Sequence, residues 1–316
     1  MLTSREINGV IAAIVTPFDG SGQVSPAGIE AIVEYVVSSG VHAIMTTGGT
    51  GEFPNLLREE KKQVTELVAR QVNGRIPVIA GTASCSTQET LLLMEDAAEA
   101  GASAAIVVAP YYFRLPQESL YHYYMDIADR GKLPIILYNN PLYTGNDMSP
   151  ALMARLARHG RIIAVKQSNA DMGQLVELVR LASEEMAVTT GIDSQFYPAL
   201  SIGATGIFST AASVIPRQMV AVYDLFRKGE REEALRLHMK LQLLNRFLEY
   251  DPGYVAPAKE ALTMLGFPAG PVRRPLPDLT DEERLGVREA LVQLGLLNHQ
   301  GLPTRYAQIP QEVSGI

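Results

Sequence analysis

Arg161-Ile162-Ile163-Ala164-Val165-Lys166 is a continuous apolar run closed by a lysine. Hydrophobicity that continues rather than alternates over this length is the mark of a parallel strand covered on both faces. The same pattern recurs on either side of it, at 10–15, 41–46, 76–80, 104–109, 135–138, 187–190 and 206–209. Amphipathic stretches with helical spacing fill the intervals, at 26–39, 58–72, 87–100, 117–130, 149–159 and 171–184, with a short one from Ser194 and an eighth at 216–228. Ser25-Pro26 and Ser149-Pro150 read as helix starts, a capping hydroxyl followed by proline at the first helical position. Gly40, Gly101, Gly131 and Gly160 stand at expected helix ends, where a left-handed residue is wanted.

Eight strand–helix pairs within residues 1–228 match the size of a (β/α)8 TIM barrel. The competing doubly wound sheet would show a glycine-rich turn after its first strand, and here that turn is Val15-Thr16-Pro17-Phe18. Residues 229–297 carry no strand pattern and are expected to form a C-terminal helical extension, with helices at 230–250, 257–265 and 280–297. Residues 298–316 are polar with scattered prolines and are expected to be an arm or loose tail.

The 316 residues are 47% hydrophobic and carry a net charge of -7 without a Lys/Arg block, which argues against nucleic acid as a partner. The apolar runs reach strand length only, so no membrane span is expected. One cysteine, Cys85, excludes an internal disulfide, and Met1–Glu6 lack an apolar signal core; both point to a cytoplasmic location. None of the five histidines sits in a zinc-ligand spacing, so no metal is expected.

In such a barrel the active site lies at the C-terminal ends of the strands. Lys166 closes strand six there. Burial lowers a lysine's pKa, and the neutral amine attacks ketones to form a Schiff base, although a strand-end lysine more commonly snorkels to water. After strand two comes Thr46-Thr47-Gly48-Gly49-Thr50-Gly51-Glu52, either an ordinary glycine-rich turn or an anion nest to which Thr50 adds a hydroxyl. After strands four and five come Pro110-Tyr111-Tyr112-Phe113-Arg114 and Tyr138-Asn139-Asn140-Pro141. A tyrosine there either relays protons or plugs the barrel mouth. Nest, phenol and lysine together suit a small 2-oxo acid.

In combination these segments resemble the dihydrodipicolinate synthase / N-acetylneuraminate lyase family. The markers, in order, are Ala13-Ile14-Val15-Thr16-Pro17-Phe18, Gly48 to Glu52, Pro110-Tyr111-Tyr112, Tyr138 to Pro141 with Thr144-Gly145, Val165-Lys166 and Gly203 to Ser209, and the likeness runs from about Gly9 to Leu297. The resemblance implies Lys166 as the Schiff-base lysine, Tyr138 as the proton-shuttling phenol and Thr50 as the threonine of the carboxylate loop, with Gly49 and Gly51 beside it. It implies Tyr112 as the tyrosine contributed across a subunit interface and Phe208 as the residue whose main chain lies beside bound pyruvate. It further implies a homotetramer built as a dimer of dimers, or a homodimer, and no cofactor beyond the covalent lysine imine.

Departures from the synthases bear on the second substrate. Gly49 stands where they have a first threonine, Tyr143 where an arginine holds the aldehyde's carboxylate, and Phe53 where a small serine is usual. Gln167-Ser168-Asn169 follows strand six's valine-lysine where many have glutamate-alanine-threonine. Arg58, Lys61 and Cys85 replace residues of the lysine-feedback site. The reading is a Schiff-base-forming lyase acting on pyruvate or a 2-oxo-3-deoxy sugar acid, by aldol chemistry, dehydration or deamination. The alternatives are 4-hydroxy-tetrahydrodipicolinate (dihydrodipicolinate) synthase and, from another class, a catalytically silent 2-oxo acid binding protein. A flavin or sugar-phosphate barrel enzyme would want a basic residue at the Gly203–Gly206 turn, and none occurs before Arg217.

Overall fold

Each of the eight apolar runs forms a strand whose residues are buried or nearly so, because side chains on one face meet the barrel interior and those on the other meet helices. The computed structural model describes residues 2–249 and 253–304. In it the strands close in chain order into one parallel barrel: β1 (Gly9–Ala13), β2 (Ala43–Thr46), β3 (Val78–Gly81), β4 (Ala104–Val108), β5 (Ile135–Asn139), β6 (Ile162–Gln167), β7 (Ala187–Thr190) and β8 (Gly206–Ser209).

The period-two alternation of a strand decides what reaches the site. Along β6, Ala164 joins the barrel-interior cluster while Val165 packs into the helical layer, so Lys166 again points inward. Along β5, Ile136 is interior, Leu137 is not, and Tyr138 again packs against the interior cluster. Register pairs Tyr138 with Lys166 across the two strands. Small side chains, Ala13, Ala43, Ala104, Ala164 and Ala187, occupy much of the interior, with Ile11, Met45, Ile79 and Phe208 as bulk.

The helices follow the expected pattern. Ser25 and Ser149 cap their helices by accepting from the amides of Gly28 and Leu152. Gly40 and Gly101 adopt the left-handed conformation, but Gly131 and Gly160 do not. Gly131 is extended, and its absent side chain serves packing instead, since a Cβ there would lie 2.2 Å from the Met94 sulfur. Two single-turn helices, Pro141–Thr144 and Ala211–Val214, went unread because four residues are too few to show a 3.6-residue period.

The C-terminal helices are Arg231–Leu248, Val255–Met264 and Asp281–Gln293. Their apolar faces, among them Leu241, Leu244, Leu262 and Leu291, share one buried cluster with Val10, Ile14 and Ile32 of the barrel. At about 1.5–3 kcal/mol for each fully buried leucine, this contact anchors the extension firmly. It also carries Tyr254 to the barrel mouth. Residues 298–304, expected as loose tail, instead turn back on the preceding segment: Leu297 bridges Pro303, and the Thr304 amide donates to the Leu296 carbonyl at 2.9 Å. The rest of the expected tail, 305–316, lies outside the described residues.

Candidate active site

The C-terminal ends of the strands surround a cavity of about 340 Å³. Lys166 is its basic residue, 6% exposed. The Lys166 Nζ lies 4.3 Å from the centroid of the Tyr138 ring and 5.8 Å from that of Phe208, and makes no ion pair among the described residues. Gly191, just past β7, lets the lysine chain lie where it does. A Cβ on Gly191 would fall 2.4 Å from Lys166 Cε and 2.1 Å from Ser168 Oγ. Ser168 Oγ, on the cavity wall, is buried with no hydrogen-bond partner among the described residues. A substrate oxygen there would satisfy it.

Tyr138 and Thr50 both line the cavity, but neither is hydrogen-bonded to the other or to Tyr112 among the described residues. The Tyr138 hydroxyl accepts from the Asn140 side-chain amide at 2.9 Å. Thr50 Oγ1 lies 2.9 Å from Thr210 Oγ1, with either as donor. Tyr112 is 87% exposed and edge-on to Phe113, itself 70% exposed, so it does not reach this chain's own cavity. Its φ of 84° places a bulky residue in the left-handed region, a strain that usually accompanies a functional constraint.

The glycine-rich turn is held taut at both ends. Thr47 (φ 52°) and Glu52 (φ 58°) are left-handed non-glycines. Thr47 is fixed by exchanging two hydrogen bonds with the Gly81 backbone, both 3.1 Å. Glu52 is fixed by a buried ion pair with Lys259, 2.5 Å, and by the Arg273 amide at 2.8 Å. Between them, the amides of Gly49, Thr50 and Gly51 meet no carbonyl among the described residues, as an anion nest requires. Gly49 and Thr50 line the cavity. Gly51 is not among the lining residues, and its carbonyl takes the Thr16 hydroxyl at 2.7 Å. Phe208 lies in the barrel core beneath the lysine, 1% exposed.

Sequence reasoning missed three ionisable wall residues. Asp193 is buried beside Lys166; it receives the Ser209 hydroxyl and, at 3.1 Å, the Ala211 amide. Its carboxyl is pushed up to about 7, first by burial and then by the Glu249 charge, against those hydrogen bonds and the attraction of Lys166. Glu249, held by the Ser194 amide and hydroxyl at 2.5 and 2.7 Å, is also raised, by burial of its carboxyl. Tyr254, from the C-terminal extension, is the third. Only the glycine-to-acid sequence Gly191-Ile192-Asp193 at a strand end offered a signal. No three His, Cys, Asp or Glu side chains converge as metal ligands among the described residues.

Residues 6–294 match the model of the dihydrodipicolinate synthetase family. The chain belongs to that family. Among similar curated proteins is the 4-hydroxy-tetrahydrodipicolinate synthase of Thermodesulfovibrio yellowstonii, 38% identical over 291 residues that span 92% of this chain and 99% of the relative. Among similar solved structures is the chloride-inhibited dihydrodipicolinate synthase of Acinetobacter baumannii complexed with pyruvate, with TM-score 0.88 and 36% identity, covering 92% of this chain and 100% of that one. Another is a prophage protein of the dihydrodipicolinic acid synthase family from E. coli K12, in complex with pyruvate, with TM-score 0.88 and 29% identity, covering 92% and 99%.

Within the dihydrodipicolinate synthetase family framework, the departing residues cluster. Tyr143 is 51% exposed on the cavity wall, and Phe53 lines an adjoining cavity. Arg114, the arginine that follows the Tyr111-Tyr112-Phe113 run, lines neither. At the place resembling the feedback site, Arg58 is paired with Asp96 at 2.6 Å, and Lys61 Nζ sits 5.6 Å from the Phe53 ring centroid. The described helices include none long and apolar enough to cross a membrane.

Proposed function

We propose that this protein is a Schiff-base-forming lyase acting on pyruvate or a related 2-oxo acid through Lys166. The observation that carries the proposal is a buried lysine turned into a cavity, over the Tyr138 ring, with no carboxylate paired to it among the described residues. The Lys166 amine adds to the keto carbon, the former keto oxygen leaves as water, and an iminium remains. In cleavage of a 4-hydroxy-2-oxo acid, Tyr138 takes the 4-hydroxyl proton. The C3–C4 bond breaks, its electron pair flows into the iminium to give an enamine, and an aldehyde departs. The enamine then takes a proton at C3, and water returns pyruvate and free lysine. Addition is the reverse. Dehydration and deamination draw on the same electron sink, and the imine does the work of a cofactor.

The amides of Gly49 and Thr50, with the Thr50 hydroxyl, are the groups we assign to the substrate carboxylate. Gly51 serves by shaping the turn, and Phe208 by its main chain beneath the bound acid. The exposed Tyr112–Phe113 pair supports an interface with a second copy, in a homodimer or a tetramer built from two, which would bring Tyr112 to a neighbouring cavity. The curated relatives favour a second reading, 4-hydroxy-tetrahydrodipicolinate synthase. Against it stands Tyr143, a residue that makes no bidentate ion pair with the aldehyde's carboxylate.

Reduction with borohydride in the presence of pyruvate tests the proposal. A reduced pyruvyl adduct on the peptide carrying Lys166 is expected. Label on Lys61 or Lys259, or none, would refute it. Label without turnover of any 2-oxo acid would mark a silent binding protein.

A further inference from the structure

Gly49 leaves a space, and the C-terminal extension fills it. A Cβ on Gly49 would lie 2.4 Å from the Tyr254 hydroxyl, so no larger residue fits while that phenol is in place. The Tyr254 ring stands 6.4 Å from the Tyr143 ring, tilted by 39°. These two tyrosines, with Gly49, Tyr138 and Asn140, border two cavities at once. One is the Lys166 chamber. The other, also about 340 Å³, falls within the usual range of small-molecule sites, roughly 300–1,000 Å³.

The second chamber is walled chiefly by Phe53, Val108, Tyr111, Val255 and Leu276, with Phe53 and Tyr111 meeting edge to face at 6.4 Å and 70°. Among the described residues its one charged wall residue is Glu52, which is committed to Lys259. The charged groups of the Lys166 chamber other than the lysine are, among the described residues, Asp193 and Glu249. A second carboxylate on the substrate would therefore meet carboxyl groups and, among the described residues, no guanidinium or ammonium beyond the reacting lysine. A flat apolar group would meet ring faces and edges at the spacing aromatic pairs prefer.

We propose that the second chamber receives the part of the substrate beyond C4, and that this part is aromatic: the lyase joins pyruvate to an aromatic aldehyde, or releases one. This rests on the lysine-imine reading above and adds the class of the second substrate. In the joining direction the enamine carbon attacks the aldehyde carbon and forms the C3–C4 bond. The aldehyde oxygen takes the proton held by Tyr138, and water hydrolyses the new iminium to a 4-aryl-4-hydroxy-2-oxo acid.

The test compares kcat/KM for three aldehydes with pyruvate, namely benzaldehyde, succinate semialdehyde and glyceraldehyde, alongside borohydride trapping with pyruvate alone. Benzaldehyde should exceed each of the others by roughly tenfold or more, the scale on which apolar pockets discriminate. Tyr143→Arg, at a half-exposed position, should move the ratio towards succinate semialdehyde by about tenfold. The inference is overturned if either polar aldehyde matches benzaldehyde in the wild type. It is also overturned if trapping labels Lys166 but none of the three aldehydes turns over. A failed trap strikes the lysine-imine reading itself, and this inference falls with it.

Discussion

Two lysines are buried at the top of this barrel, and they differ in what surrounds them. Lys166 ends on the face of the Tyr138 ring, in a cavity, without an ion pair among the described residues. Lys259, 2% exposed, is clamped between the Glu52 carboxylate at 2.5 Å and the Pro271 carbonyl at 2.7 Å. Burial pushes the Lys259 ammonium down to about 8, and Glu52 pulls against that shift. Burial alone therefore does not make a nucleophile. An amine bound on two sides inside the protein works as a strut, whereas one facing empty volume is available to a ketone.

The largest effect should come from exchanging the two lysines' fates. Lys166→Ala should abolish pyruvate labelling, whereas Lys259→Met should leave the label on Lys166. Mass spectrometry of the reduced protein decides, and label surviving in Lys166→Ala would dissolve the contrast. Next in size is the clamp. Glu52→Gln strands the Lys259 ammonium, so it should lower unfolding stability by about 3–5 kcal/mol, the usual cost of breaking a buried pair. A urea midpoint near that of wild type would show that the pair is not a strut. Tyr138→Phe keeps the ring under Lys166 and removes the hydroxyl. Trapping should persist while turnover falls roughly a hundredfold. Unchanged turnover would assign the proton to another group.

A further effect, visible only in its pH dependence, concerns Asp193. Its carboxyl titrates near 7 in the folded protein against 3.8 ordinarily, so the folded state binds the extra proton between those values. The stability that this group contributes is complete below about pH 4 and is lost as pH rises through 7. Asp193→Asn removes that dependence. The melting temperature of the wild type minus that of Asp193→Asn should decline from pH 4 to 7, and a constant difference would refute the shift.

The barrel and the reactive strand ends were legible because both follow from a period of two. Ala164 and Lys166 on β6 and Ile136 and Tyr138 on β5 all face the barrel interior, and parallel register brings phenol and amine together. What stayed hidden depends on distance in space rather than along the chain. Gly191 is glycine because a lysine chain from the neighbouring strand crosses its Cβ position. Gly49 reads as a loss until Tyr254, some two hundred residues later, is seen in its place. The left-handed Thr47 and Glu52 leave no pattern in sequence, since their anchors are the Gly81 backbone and Lys259. Gly51 also braces the loop, its carbonyl taking the hydroxyl of Thr16, thirty-five residues earlier.

Tyr254 is borne by the turn that precedes helix Val255–Met264, outside the eight strand–helix pairs. On the proposed reading, labour is divided along the chain: the reacting groups come from residues before 211, while part of the cavity wall, at Tyr254, arrives from an appendage. Such an arrangement lets drift in the appendage retune what the enzyme accepts without disturbing how it reacts. A lineage of barrels with one unchanging lysine could diversify its diet simply by redrawing one short turn.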